Sequence, residues 1–361
     1  MNDDAVNAPS SSAPAFLEQL IRQAERAHAS DIHLQMFGKA AQVSLRLDGM
    51  MSPATPLPEP LAERVFGRIK YLSKLKTYQE SLPQDGRIDK TEVGATTDIR
   101  VATYPTVTGE KIVLRFFTDT ETPAIDDLKF AEPIVAELEK FLRGSAGLLL
   151  LTGPAGSGKT TTIYACLRRL VALGGRHIIT IEDPVEQIVP GIMQTEVSEA
   201  RGLTFAKAAR HLLRQDPQVL VIGEIRDDET ANLVVRAAMT GHLVISTLHA
   251  GSCGGVLERL LMMCSDRFAV GSALELILNQ RLLRRLCEQC HGTRCEACLQ
   301  TGYHGRVPVV EWLRLDAEQR EQLRVKGPAA IQPKHFIRDA ARDLVKSGVT
   351  DAAEFERLFS R

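Results

Sequence analysis

The chain has 361 residues, 44% of them hydrophobic, and its 44 basic residues nearly balance 45 acidic ones for a net charge of −1. That length accommodates two or three domains with sizeable cores, and the composition excludes a disordered chain. No global basic field marks nucleic acid as a partner. No run approaches 18 apolar residues and no cleavable leader pattern opens the chain, so the expectation is a cytoplasmic protein that meets a membrane only through partners.

Taken in order, residues 1–14, rich in Ser, Ala, Asp, Asn and Pro, read as a flexible tail. Residues 15–118 form an α+β domain. A helix is expected over 16–28, alternating strands over 31–36 and 42–47, a turn at Asp48-Gly49, a Pro-rich connection over 53–60 and a helix over 61–75. Strand patterns follow around Gly86, Ile88, 99–101 and 111–117. The polar stretch 119–127 reads as a linker and hinge.

From residue 128 to 284 strand and helix alternate, the pattern of a parallel sheet. Short all-apolar runs at 148–151, 177–181, 219–222 and 243–246 have the character of strands buried on both faces, with helices expected over 161–173, 204–215 and 229–239. A cysteine-rich segment at 285–310 and a helical C-terminal region at 311–361 complete the chain. The fold class expected is therefore α/β, with an α+β domain in front. Polar residues follow the carboxyl end of each apolar run, the edge where open α/β sheets bind ligands.

The stretch Gly153-Pro154-Ala155-Gly156-Ser157-Gly158-Lys159-Thr160 fits G-x-x-x-x-G-K-[ST], entered by a strand and left by a helix. Its backbone N–H groups can cradle phosphates, Lys159 can reach the β- and γ-phosphates, and Thr160 can ligate Mg²⁺, which marks a nucleoside-triphosphate site. Val219 to Glu224 is an apolar strand ending in an acid, with Gly223 where an aspartate is usual. Glu224 is the candidate to orient or deprotonate the attacking water, against the plainer role of capping the next helix.

Glu182, Asp183 and Glu186 follow the second run, either around the metal's water shell or as solvated loop charge. His242 and His249 flank the fourth run as sensors or as core histidines. Arg87, Arg100 and Arg115 lie on strands of the first domain and either hold an anion or make surface ion pairs. Cys287-x-x-Cys290 and Cys295-x-x-Cys298 are two ligand pairs suited to one tetrahedral Zn²⁺, with an iron–sulfur cluster or free thiols as alternatives. Cys166, Cys253 and Cys264 have no partner spacing and read as core residues.

These motifs, with Ala29 to Leu34, Leu45 to Gly49, Leu82 to Arg87, Asp98 to Val101, Thr108 to Lys111, Leu213 to Pro217, Gly223 to Asp227, Thr240 to His242 and Ser246 to His249, resemble the secretion-superfamily ATPases that assemble type IV pili and type II secretion pseudopili. The resemblance implies a RecA-like P-loop domain behind a PAS-like domain, in a homo-hexameric ring that hydrolyses ATP. It implies that 153–160 with Thr161 binds nucleotide, that 181–186 is an aspartate box, that Glu224 is the catalytic glutamate and that His242 and His249 belong to a histidine box. Arg100 and Arg115 would meet the γ-phosphate from the first domain.

By the same resemblance the ring is cytoplasmic, peripheral to the inner membrane, acts on a membrane platform protein and is coupled indirectly to pilins or pseudopilins. The four cysteines, followed by Thr301 to Arg306, favour an assembly motor over a retraction or DNA-uptake motor, and a non-hydrolysing nucleotide-dependent regulator is the reading from another class. The chain reads as a short form without the long N-terminal domain of larger members.

Overall fold

The computed structural model describes residues 12–117, 123–198 and 201–360. It divides into two compact units, Met1–Glu121 with Leu286–Gly305, and Thr122–Arg285 with Arg306–Arg361.

In the first unit, α1 (Ala13–Arg26) is followed by β1 (Asp31–Phe37), β2 (Ala40–Leu47), β3 (Met50–Pro53), α2 (Leu61–Leu72), β4 (Gln84–Ile88), β5 (Ile99–Thr106) and β6 (Gly109–Phe116). Most of the expected tail lies outside the described residues. Its end differs from the expectation, because Ser12 caps α1 by accepting from the Ala15 N–H, and Ala13 and Pro14 already belong to the helix. The strands form one antiparallel sheet in the order β3-β2-β1-β6-β5-β4.

Alternation along β1, β5 and β6 turns Ile32, Leu34, Ile99, Val101, Ile112 and Leu114 inward. There they pack with Leu17 and Ile21 of α1 and Val65 and Ile69 of α2. Lys70 is buried in this unit, and its ammonium donates to both oxygens of Glu110 at 3.0 and 3.1 Å and to the Gln79 carbonyl at 3.1 Å.

Part of the expected linker, residues 119–122, lies outside the described residues; in the second unit Ile125–Leu128 is a short 3-10 helix whose Ile125 is buried. There follow α3 (Glu132–Leu142), β7 (Gly147–Thr152), α4 (Lys159–Leu173), β8 (Ile178–Glu182), β9 (Met193–Glu196), α5 (Phe205–Leu212), β10 (Val219–Ile222), α6 (Asp228–Met239) and β11 (Leu243–Thr247). The chain continues as α7 (Cys253–Met263), α8 (Arg267–Ala273), β12 (Leu274–Leu286), β13 (Tyr303–Arg314), α9 (Ala317–Lys326), α10 (Ile337–Lys346) and α11 (Ala352–Phe359).

The sheet order is β13-β12-β7-β11-β10-β8-β9, with β12, β7, β11, β10, β8 and β9 pairing in parallel. The four apolar runs are its central strands. All six residues of β7 and all four of β10 are buried, as a sheet covered on both faces requires.

Two boundaries differ from the expectation. The region from 311 begins with the end of a long strand, β13, and turns helical only at Ala317. Residues 286–305, which carry the four cysteines, group with the first unit rather than standing alone, and residues from 306 return to the second. Among the described residues no helix is long and apolar enough to cross a membrane.

Candidate nucleotide site and metal centre

The glycine stretch joins β7 to α4 at the carboxyl edge of the parallel sheet. Gly153, Gly156 and Gly158 have φ of 136°, 73° and 91°, conformations that favour glycine. A Cβ on Gly153 would lie 2.2 Å from the Gln280 carbonyl oxygen, so that glycine is required by close packing as well. Lys159, the first residue of α4, folds back to donate to the carbonyls of Gly153 at 2.9 Å and Pro154 at 3.0 Å. Burial lowers its pKa and the charge of Glu224 opposes that shift. Thr160 and Thr161 are exposed at the start of the helix.

A cavity of about 310 Å³ opens beside the loop and brings together Lys159, Thr160, Asp183, Glu186, Glu224 and His249. Glu224 stands two residues past β10, and its carboxylate is engaged on both sides. One oxygen pairs with Arg226 Nε and the other lies 3.3 Å from His249 Nε2. Arg226 also donates to Asp183 Oδ2 at 3.1 Å, and its guanidinium stacks over Phe205. Asp227 accepts from the Thr230 N–H at 2.7 Å, so the capping of α6 falls to Asp227 and leaves Glu224 for the cavity.

Glu182 also borders the cavity, but its carboxylate accepts from the Tyr164 hydroxyl, from Thr180 Oγ1 at 2.6 Å and from Gln194 Nε2 at 3.0 Å. Tyr164 in turn accepts the N–H groups of Glu186 and Gln187 at 3.1 and 3.2 Å, fixing the acidic loop to α4. Burial, with Glu182 beside it, pushes the Tyr164 pKa well up, so the ring remains a neutral donor.

His242 lies elsewhere. It precedes β11, its carbonyl accepts from Gly147 N–H at the start of β7, and its Nδ1 is 2.9 Å from the Ala237 carbonyl. The five residues of β11 put it roughly 16 Å from the phosphate-binding edge.

In the first unit Arg87, Arg100 and Arg115 face one another in register across β4, β5 and β6, and Asp31 and Arg46 continue the row across β1 and β2. Arg87 pairs with Asp98, and Arg115 Nε donates to Asp31 Oδ1 at 2.7 Å. Burial pushes the Asp31 carboxyl upward, but the hydrogen bonds from Arg115 and Ser30 and the charges of Arg115 and Arg46 hold it below its usual range. Among the described residues Arg100 has no carboxylate partner; it stacks over Phe117, 5.2 Å from the ring centre.

The four cysteine sulfurs lie within 4.8 Å of one another. Three of the separations are 3.9, 3.8 and 3.8 Å. Four sulfurs at ~2.3 Å from a tetrahedral ion are about 3.8 Å apart, so the thiols fit such an ion. All four are free thiols. Burial opposes the Cys298 thiolate, but the N–H groups of Cys295 and Gly302 donate to its Sγ and bring its pKa down to about 6. The cluster leans on the first unit through Leu299, which packs on the core, and through Gly305 N–H, which donates to Asp48 at 2.9 Å.

Tyr164 and Gln280 escaped the sequence reading. Gln280 carried a legible signal, since Asn279 and Gln280 follow the apolar run 276–278 as Thr152 and Gly153 follow the run 148–151.

The chain is similar to several known secretion and pilus proteins. The type IV pilus assembly ATPase PilB of Thermus thermophilus is 39% identical over 356 residues, covering 91% of this chain and 40% of its own length. The type II secretion system protein HxcR of Pseudomonas aeruginosa is 41% identical over 336 residues, covering 91% of this chain and 70% of its own length. A crystal structure of the pilus retraction motor PilT with bound ADP superposes with a TM-score of 0.66 at 26% identity, covering 94% of this chain and 96% of that one. The type II/IV secretion system protein family matches residues 7–357, and the chain belongs to that family.

Proposed function

We propose that the chain is an ATPase motor that drives assembly of a type IV pilus or a type II secretion pseudopilus. The observation that carries the reading is the convergence of Lys159, Thr160, Asp183, Glu224 and His249 on one cavity at the carboxyl edge of a parallel sheet. In this reading residues 153–161 bind the triphosphate and Glu224 is the group that orients the attacking water. His249 and Arg226, both on the Glu224 carboxylate, hold it in place until nucleotide arrives.

Mg²⁺ held by Thr160 and the phosphates would neutralise the charge that develops in phosphoryl transfer. Asp183 is placed to order the surrounding water, whereas Glu182 is spent on Tyr164, Thr180 and Gln194. Arg100 and Arg115 supply the remaining cations for the γ-phosphate from a PAS-like first unit. The second unit corresponds to the RecA-like domain, and Zn²⁺ on the four cysteines would brace the first unit.

The ring is a homo-hexamer, cytoplasmic and peripheral to the inner membrane, acting on a platform protein and through it on pilins or pseudopilins. Assembly is favoured over retraction by the fit of the cysteine cluster to a metal ion. The test is steady-state MgATP hydrolysis by the purified oligomer alongside binding of a fluorescent ATP analogue. Turnover that Lys159→Ala abolishes together with binding supports the reading, and a hexamer that binds ATP without turnover contradicts it.

A further inference from the structure

We infer that Gln280 is a positioning residue for the phosphate loop, holding its first and last glycines in the shape that receives the triphosphate. The inference rests on the nucleotide reading above and extends it to a residue of β12.

Parallel pairing places Asn279 opposite Thr152, so Gln280 follows at the level of Gly153 where β7 gives way to the loop. Gln280 is only 3% exposed and lies against the loop at two places and against α4 at a third. Its carbonyl oxygen lies under Gly153, 2.2 Å from where a Cβ would stand. Its side-chain nitrogen lies under Gly158, 2.7 Å from the corresponding point there. Its Oε1 accepts from the buried Thr162 hydroxyl at 3.0 Å, on the first turn of α4.

One residue therefore spans all three places, the entry of the loop through its backbone carbonyl and the exit and the helix that follows through its side chain. A glycine loop has little conformational preference of its own and must be held from outside if its N–H groups are to converge before the ligand arrives. Gln280 supplies that support from a strand that is itself anchored. Four residues on, Arg284 is bound to the buried carboxylate of Glu354 at 2.7 and 2.9 Å, and Arg281 donates to the Leu358 carbonyl at 2.8 Å. A support that acts equally on bound substrate and transition state changes binding more than turnover.

The test compares wild type with Gln280→Met, which keeps the bulk and the backbone carbonyl and removes the side chain's polar contacts, and with Thr162→Val. In the full-length oligomer, Gln280→Met is expected to raise KM for MgATP about tenfold while kcat stays within about twofold. Hydrogen exchange without nucleotide is expected to speed up at the amides of 155–160 and not across the rest of the unit. Thr162→Val moves both readouts the same way, and the double variant adds little. Unchanged KM and loop exchange in Gln280→Met overturn the inference. So does a rise in exchange spread evenly over the unit, which marks a structural role only. Wild type that does not hydrolyse ATP defeats the motor reading instead, and the exchange measurement still decides the role of Gln280.

Discussion

Arg100 and Arg115 stand directly opposite each other across β5 and β6, like charges in a position where a sheet ordinarily pairs opposite ones. Arg87 faces Arg100 from the other side, so Arg100 lies between two arginines. Arg100→Gln should therefore raise the thermal midpoint of the first unit, by up to ~1 kcal/mol of stability, while lowering ATP turnover more than nucleotide binding. A variant that is neither more stable nor slower returns Arg100 to plain surface charge.

The buried Lys70–Glu110 pair leads to a second expectation. Glu110→Ala leaves an ammonium buried without its partner and should cost about 3–5 kcal/mol in chemical denaturation. Joint replacement by Met and Leu should recover most of that loss. Glu110 belongs to the Thr108 to Lys111 block that enters the family resemblance, and its use in the first unit is structural.

Acid should loosen two places for the same reason. Asp31 and Glu354 both have carboxyl pKa values held below their ordinary 3.8 and 4.5, because hydrogen bonds and charges from Arg115 and Ser30, and from Arg357 and Arg284, outweigh the burial that pushes them up. A depressed carboxyl contributes stability fully above its unfolded value and loses it as pH falls through the folded one. The stability gap between wild type and Glu354→Gln should hold down to about pH 4.5 and close below it, as read by denaturation across pH. A gap that widens on acidification would reverse the sign.

Removing metal should act on the first unit. The cysteine cluster packs there through Leu299 and the Gly305–Asp48 hydrogen bond, so a strong chelator should release about one zinc per chain and speed hydrogen exchange around Asp48. Exchange at the phosphate loop should be unaffected. Elemental analysis showing no zinc in freshly purified protein would refute the site.

The central strands were legible because a parallel sheet covered on both faces leaves a local mark, a short unbroken apolar run such as Leu148 to Leu151. β9, with the sequence Met-Gln-Thr-Glu, and the Arg-bearing half of β12 lie at or near the sheet's margins, where one face stays polar, and their pattern does not separate from loop. His242 and His249 flank the fourth apolar run in the sequence, and the five residues of β11 accordingly divide them between its two ends. The attachment of the cysteine segment to the first unit rests on contacts across some 250 residues of chain, such as Asp48 with Gly305, for which a local pattern holds no trace.

Glu224 carries the central claim, and one comparison tests it most directly: binding of a fluorescent ATP analogue and steady-state phosphate release by the same Glu224→Gln preparation. The account predicts ATP affinity within a few-fold of wild type and turnover reduced at least about a hundredfold, the loss typical of a group acting on the reacting water. Turnover at the wild-type rate would contradict it.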